Sequence, residues 1–182
     1  MRKLALLGLT FGVVLGHGTL RSGRVFAQEP ADPVRIVRVR SESPEVAAVI
    51  RRASETSATF RGLLATIDGT DGLIYVDDGK CGHGVQACLV LHVQVAGPFR
   101  VLHIRIDARR LDCGLMASIG HELQHAIEVL SEPHVTSGAA AYLLFDRIAG
   151  QGTGADNGRF ETKAADRAGV EVRHEACRVE GR

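Results

Sequence analysis

The sequence predicts an α+β fold in a single domain. Three observations carry this expectation: a long amphipathic helical stretch after residue 43, three consecutive strand-like segments between residues 73 and 107, and helical segments from there to the C-terminus. A chain of 182 residues, 45% hydrophobic and 24% charged, is long enough for one packed core and short for two.

The first residues read as an export signal. "MRK" is a basic start, "LALLGLTFGVVLG" is an apolar run too short to span a bilayer, and "VFA" supplies small residues before Gln28. A signal peptide over 1–27 and a mature domain over 28–182 follow, in a secreted or periplasmic protein with no stable membrane anchor after cleavage. In an oxidising compartment the four cysteines favour two disulfides. Cys81 with Cys88 is the preferred short pair, around a turn, which leaves Cys113 with Cys177.

The mature chain opens on a polar, proline-bearing lead, followed by the strand-like "VRIVRVR". Ser43 as N-cap and Pro44 at the first helical position start one helix, with Gly69 as its stop. Along it Val46, Val49, Ile50, Ala53, Phe60, Leu63, Leu64 and Ile67 recur at helical spacing. The strands are "LIYVDDG", "QACLVLHVQV" and "FRVLHIRID". A turn on Gly97-Pro98 makes the last two an antiparallel hairpin, with Val93 facing Leu102, Leu91 facing Ile104 and Leu89 facing Ile106. The opposite face then sets His92 against His103 and Val90 beside Arg105. A helix from about Leu111 to Leu130 follows, then the helical "SGAAAYLLFDRI", the Gly-rich "GQGTGADNG" and a final helix in "RFETKAADRAGVEVRHEAC".

A formal net charge of +1 gives no electrostatic reason to expect nucleic acid or an anionic membrane as partner. Tryptophan is absent and aromatics make up 4%, which argues against a stacking platform for single strands.

The chemistry concentrates in "IGHELQHAIEVL". On a helix, Leu115, Met116, Ile119, Leu123, Ala126, Ile127 and Leu130 share one stripe. His121 and His125 lie nearly opposite, about 40° apart, with Glu122 at the edge between. Histidines one turn apart can share a tetrahedral Zn²⁺ and leave a position for water, at which the intervening glutamate is aimed as general base. Two carboxylates compete to be the third ligand. Glu128 shares the helix face but sits about 4.5 Å farther along the axis, which suits a supporting carboxylate better. Glu161, near the start of the last helix, heads a small-residue stripe of Ala164, Ala165, Ala168 and Val172, and a buried acid there needs a partner such as a metal.

His121-Glu122-Leu123-Gln124-His125 with the downstream Glu161 resembles the gluzincin group of zinc metallopeptidases, over roughly Leu102 to Ala168. The resemblance implies a zincin-like fold in which two helices pack so that His121, His125 and Glu161 bind zinc. It also implies that Glu122 is base and proton shuttle and that substrate backbone lies along an edge strand, here "RVLHIRID". One departure is visible: many gluzincins carry an acid one turn after the ligand glutamate, and here that residue is Ala165. The motif supplies no oxyanion stabiliser either, which leaves Tyr142, His103, His134 and His174 as candidates.

The expectation is an exported, monomeric zinc peptidase acting on a peptide or protein substrate. Its rivals are a non-catalytic zincin-like binding module and a metal-free, disulfide-stapled interaction domain.

Overall fold

The computed structural model describes residues 37–82, 84–149 and 160–180. The expected signal peptide and its cleavage site, the start of the first strand and the whole Gly-rich segment lie outside the described residues. The elements run β1 (Val39–Arg40), α1 (Pro44–Thr56), α2 (Ala58–Asp68), β2 (Gly72–Asp78), β3 (Ala87–Ala96), β4 (Phe99–Ile106), α3 (Cys113–Leu130), α4 (Gly138–Ile148) and α5 (Lys163–Glu180). The fold is therefore mixed α/β, with five helices and a four-stranded mixed sheet.

The helix after Ser43 starts as expected, with Ser43 Oγ accepting from the Val46 N–H at 3.3 Å and Pro44 at the first helical position. It does not run through to Gly69. Ser57, fully buried, ends α1 and caps α2 in the same residue: its Oγ accepts from the Phe60 N–H at 2.9 Å. Glu175 on α5 explains why the break is stable. Its carboxylate accepts from Ser57 Oγ at 2.5 Å and from the Thr59 N–H at 3.0 Å, so a negative charge sits where the α2 dipole favours one. Burial opposes that charge, but the Ser57 and Thr59 hydrogen bonds outweigh it and hold the Glu175 carboxyl below its ordinary value.

The sheet order is β1-β2-β4-β3, with β1, β2 and β4 parallel and β3 antiparallel to β4. The strand beside the motif helix that forms the sheet edge is thus β3, and the expected edge "RVLHIRID" lies inside the sheet. The residues show why: Leu102, Ile104 and Ile106 of β4 are fully buried, which suits a strand flanked on both sides. β3 carries an irregularity between Val90 and Gln94 and exposes Gln94 to Ala96, as edges commonly do.

That irregularity also moves the hairpin register. Near the turn, Gln94 faces Val101, as the Gly97-Pro98 centre requires. Beyond it Leu89 faces Ile104 and Ala87 faces Ile106, two residues from the expected pairs. A shift of two keeps every side chain on its expected face, so the buried face survives and only the partners change. The expected His92–His103 pair is lost. His103 lies opposite Val90 and beside Tyr75, stacks on Tyr75 at 5.4 Å, and has its Nδ1 2.8 Å from Asp77 Oδ2. Val90 faces His103 rather than Arg105, which pairs with Cys88.

The other sheet face and the helices bury one core, in which Phe60, Ile67, Ile74, Leu102, Leu115, Met116, Ile119 and Leu123 are fully enclosed. Most of the stripe expected on α3 is buried there, while Ile127 is only half-buried. α3 and α5 run close together. A Cβ on Gly120 would fall 2.8 Å from Val172 Cγ2, so this crossing depends on glycine. On α5 the buried stripe is Ala165, Ala168, Val172 and Ala176, whereas Ala164 is exposed. Both disulfides pair as expected, Cys81 with Cys88 and Cys113 with Cys177.

Arg100 closes the C-terminal end of α3. Only 3% exposed, it donates to the carbonyls of Val129, Leu130, Glu132 and Val135 and to the Asp71 carboxylate. A guanidinium there meets both the orphan carbonyls and the negative end of the helix dipole. Arg100→Met should cost about 3 kcal/mol of stability, because those carbonyls would stay buried without donors. Urea denaturation of the two proteins measures this, and a loss under about 0.5 kcal/mol would show that water replaces the guanidinium. The Arg100 hydrogen bonds hold the Asp71 carboxyl below its ordinary value against the opposing effect of burial. That part of the stability is full above the ordinary carboxylate range and fades as pH falls through the lowered value.

Candidate metal centre

α3 starts where Asp112 caps it, Oδ1 accepting from the Leu115 N–H at 3.1 Å, and the helical register then sets His121, Glu122 and His125 toward α5 and β3. The two imidazoles meet edge-on, with Nε2 atoms 3.1 Å apart. Glu161 Oε2 lies 3.0 Å from His121 Nε2. One donor atom from each of His121, His125 and Glu161 falls within 4.8 Å of the others. A tetrahedral ion with bonds of about 2.0–2.1 Å separates its ligands by about 3.3 Å; the 3.1 Å and 3.0 Å separations from His121 come near that, and the rest of the set lies within 4.8 Å.

Glu161 reaches this position from outside the last helix. It was expected on that helix, but α5 begins at Lys163 and Glu161 sits just before it, outside any helix or strand. Its neighbours hold it there. Phe160 stacks on Phe145 at 5.8 Å and meets Tyr142 edge-on at 5.1 Å. Thr162 caps α5, its Oγ1 accepting from the Ala165 N–H at 3.1 Å and donating to Glu128 Oε1 at 2.6 Å.

Glu128 is therefore engaged on both oxygens. Oε2 lies 2.8 Å from His125 Nδ1. A carboxylate accepts, so the ring proton of His125 sits on Nδ1 and the Nε2 lone pair turns toward His121 and Glu161. Glu128 thus fixes the orientation of the His125 ring. Its side chain is only 13% exposed, and Phe145 packs edge-on against the same imidazole at 5.2 Å.

Glu122 is buried, and its Oε2 accepts from the Leu89 N–H of β3 at 2.7 Å. Burial raises its carboxyl above the ordinary value, partly offset by His125, His121 and the Leu89 N–H. A raised value is the direction a base working near neutral pH needs. Burial alone would lower His121, but the Glu161 hydrogen bond and the charges of Glu122, Glu161 and Asp166 outweigh it and raise that imidazole.

His121, Glu122, His125 and Glu161 all face a cleft of about 460 Å³ between α3, α5 and β3. Apolar side chains, Leu89, Leu91, Phe145 and Phe160 among them, form one part of its wall. A Cβ on Gly138 would fall 2.3 Å from the Leu91 carbonyl oxygen, so the start of α4 covers that stretch of the β3 edge. Ala87, Cys88 and Leu89 remain at the cleft wall. None of the four side chains considered for oxyanion stabilisation lines the cleft. His103 is on the far face of the sheet, His134 pairs loosely with Glu132, and His174 contacts Arg178. Tyr142 packs on Phe160, which does line it.

No protein-family model matches the chain, and no curated protein or solved structure matches it either.

Proposed function

We propose that this chain is an exported zinc-dependent metallopeptidase of gluzincin type. The observation that carries the reading is the convergence of His121, His125 and Glu161 on one point of an open cleft, beside a buried glutamate. His121 Nε2, His125 Nε2 and a Glu161 oxygen would hold the ion, with Glu128 fixing the His125 tautomer. Zinc, when bound, supplies Lewis acidity, which polarises a substrate carbonyl and acidifies water. Glu122 takes the proton of the attacking water and passes it to the leaving amine, as its burial and position between the histidines suit. The cleft walls hold the peptide against β3. Two disulfides fit an oxidising compartment, and among the described residues no helix is long and apolar enough to cross a membrane. The disulfides support export.

The open cleft favours a hydrolase over a purely structural ion, whose fourth position protein would fill. The test is metal content with peptide turnover. The purified protein should hold one zinc per chain, lose peptidase activity to a chelator and regain it with added zinc. Glu161→Ala should weaken zinc affinity about 100-fold or more, read by competition with a chromogenic chelator. Unchanged affinity in that variant would exclude Glu161 as a ligand, and absence of both zinc and turnover in the wild type would sink the reading as a whole.

A further inference from the structure

The cleft is electrically uneven. Asp166, Gly169, Val170 and Arg173 line it from one face of α5. His121 packs over Gly169, with its Cβ 3.2 Å from where a Gly169 Cβ would stand. Arg173 is one helical turn farther, about 6 Å along the axis. Three carboxylates, Glu122, Glu161 and Asp166, crowd the histidine end. At the other end Arg173 is the only lysine or arginine that lines the cleft, and it makes no ion pair among the described residues. Gln86 and Ser118 line the cleft as well, with Ser118 Oγ 3.4 Å from Gln86 Oε1. Neither carries charge, and Asp112, which stands across Gly114 from the guanidinium, is engaged by the Leu115 N–H and by Arg110.

We propose that the cleft selects peptides with a carboxylate about two residues from the bond to be cleaved, and that Arg173 receives it. The backbone offset sets the lower bound, since an extended chain advances about 3.3 Å per residue and two residues cover the turn between Gly169 and Arg173. The sign follows from charge. At Arg173 a carboxylate gains a forked pair of charge-assisted hydrogen bonds. An acidic side chain and a free C-terminal carboxylate present the same group, and both belong to this substrate class. The proposal rests on the peptidase reading for the word substrate, but the preference itself is a binding property.

The experiment therefore reads binding and turnover separately. Fluorescein-labelled hexapeptides carry Glu or Gln at the second residue on either side of the central bond, and a further pair ends in a free acid or an amide. Their affinities are measured by anisotropy on zinc-loaded Glu122→Gln protein. Each Glu peptide with its carboxylate toward Arg173 should bind about tenfold tighter than its Gln counterpart. The acid and amide pair shows whether a chain terminus is accepted as well as a side chain. In the Arg173→Gln, Glu122→Gln double variant the Glu-to-Gln ratio should fall to about one, and Arg173→Glu should invert it toward Lys-containing peptides. No preference in the parent, or a preference that survives Arg173→Gln, overturns the proposal. Turnover of the Gln peptides by wild-type protein tests the peptidase reading independently. Cleavage without acid preference removes the Arg173 role alone, whereas preference without cleavage removes the catalytic reading and leaves a carboxylate-selective peptide site.

Discussion

Glu122→Gln is expected to keep its zinc and to lose about 10³-fold in kcat for peptide hydrolysis, with little change in KM. The substitution is nearly isosteric, and the amide oxygen can still accept from the Leu89 N–H that Glu122 now holds at 2.7 Å. The tie between α3 and the β3 edge therefore survives. What disappears is a group able to take a proton near neutral pH. His125 keeps its place because Glu128 orients it, and Glu122 hydrogen-bonds neither histidine. Zinc stoichiometry, melting temperature and single-turnover rates on one peptide separate these effects. Turnover near the wild-type rate would remove Glu122 from the proton transfer. A loss of zinc together with rate would mean that its charge supports the ion instead of the water.

The parts of this site that were legible in the sequence are those written in local spacing. His121, Glu122 and His125 lie within five residues on a helix whose apolar stripe is plain, so their convergence follows from 3.6 residues per turn. Glu161 was expected as a partner on the argument that a buried acid needs one, yet its side chain is 38% exposed, and its local structure was not legible. The helical pattern ran back through it, yet Thr162 caps α5 and leaves Glu161 outside the helix. A threonine three residues before Ala165 was the available signal, and helix periodicity hid it. The break at Ser57 was missed for a similar reason. Apolar spacing on both sides fitted one helix, and the stabilising carboxylate of Glu175 comes from 118 residues away. Arg100 shows the opposite case, a charge in phase with the buried residues of β4, for which the sequence alone names no partner. The two-residue register shift in β3 belongs to tertiary packing, since both registers bury the same face.

Removal of the Cys113–Cys177 bond should be the most destabilising change outside the core, and it should reach the metal centre. The bond closes a loop of sequence separation 64, for which the chain-entropy relation gives roughly 4 kcal/mol. Cys81–Cys88, with a separation of 7, should contribute roughly 2 kcal/mol by the same relation. Against a total stability of about 5–15 kcal/mol, Cys113→Ala with Cys177→Ala should lower Tm by about 10 °C. Position adds a second effect. Cys113 opens α3 and Cys177 lies near the far end of α5, while the close contacts of Gly120 with Val172 and of His121 with Gly169 lie along the same helix pair. The bond thus fixes the sliding of α5 along α3, and α5 carries Thr162 and with it Glu161. Zinc affinity should fall in the Cys113/Cys177 double variant at temperatures where it remains folded, and should change less in the Cys81/Cys88 double variant. Thermal and urea denaturation under non-reducing conditions give the stability order, and chelator competition gives the affinity. A larger stability loss from the short loop would show that the entropy of the unfolded chain is not what these bonds mainly restrain. Unchanged zinc affinity in the Cys113/Cys177 variant would show that the Gly120 and Gly169 crossing alone sets the distance between His121 and Glu161.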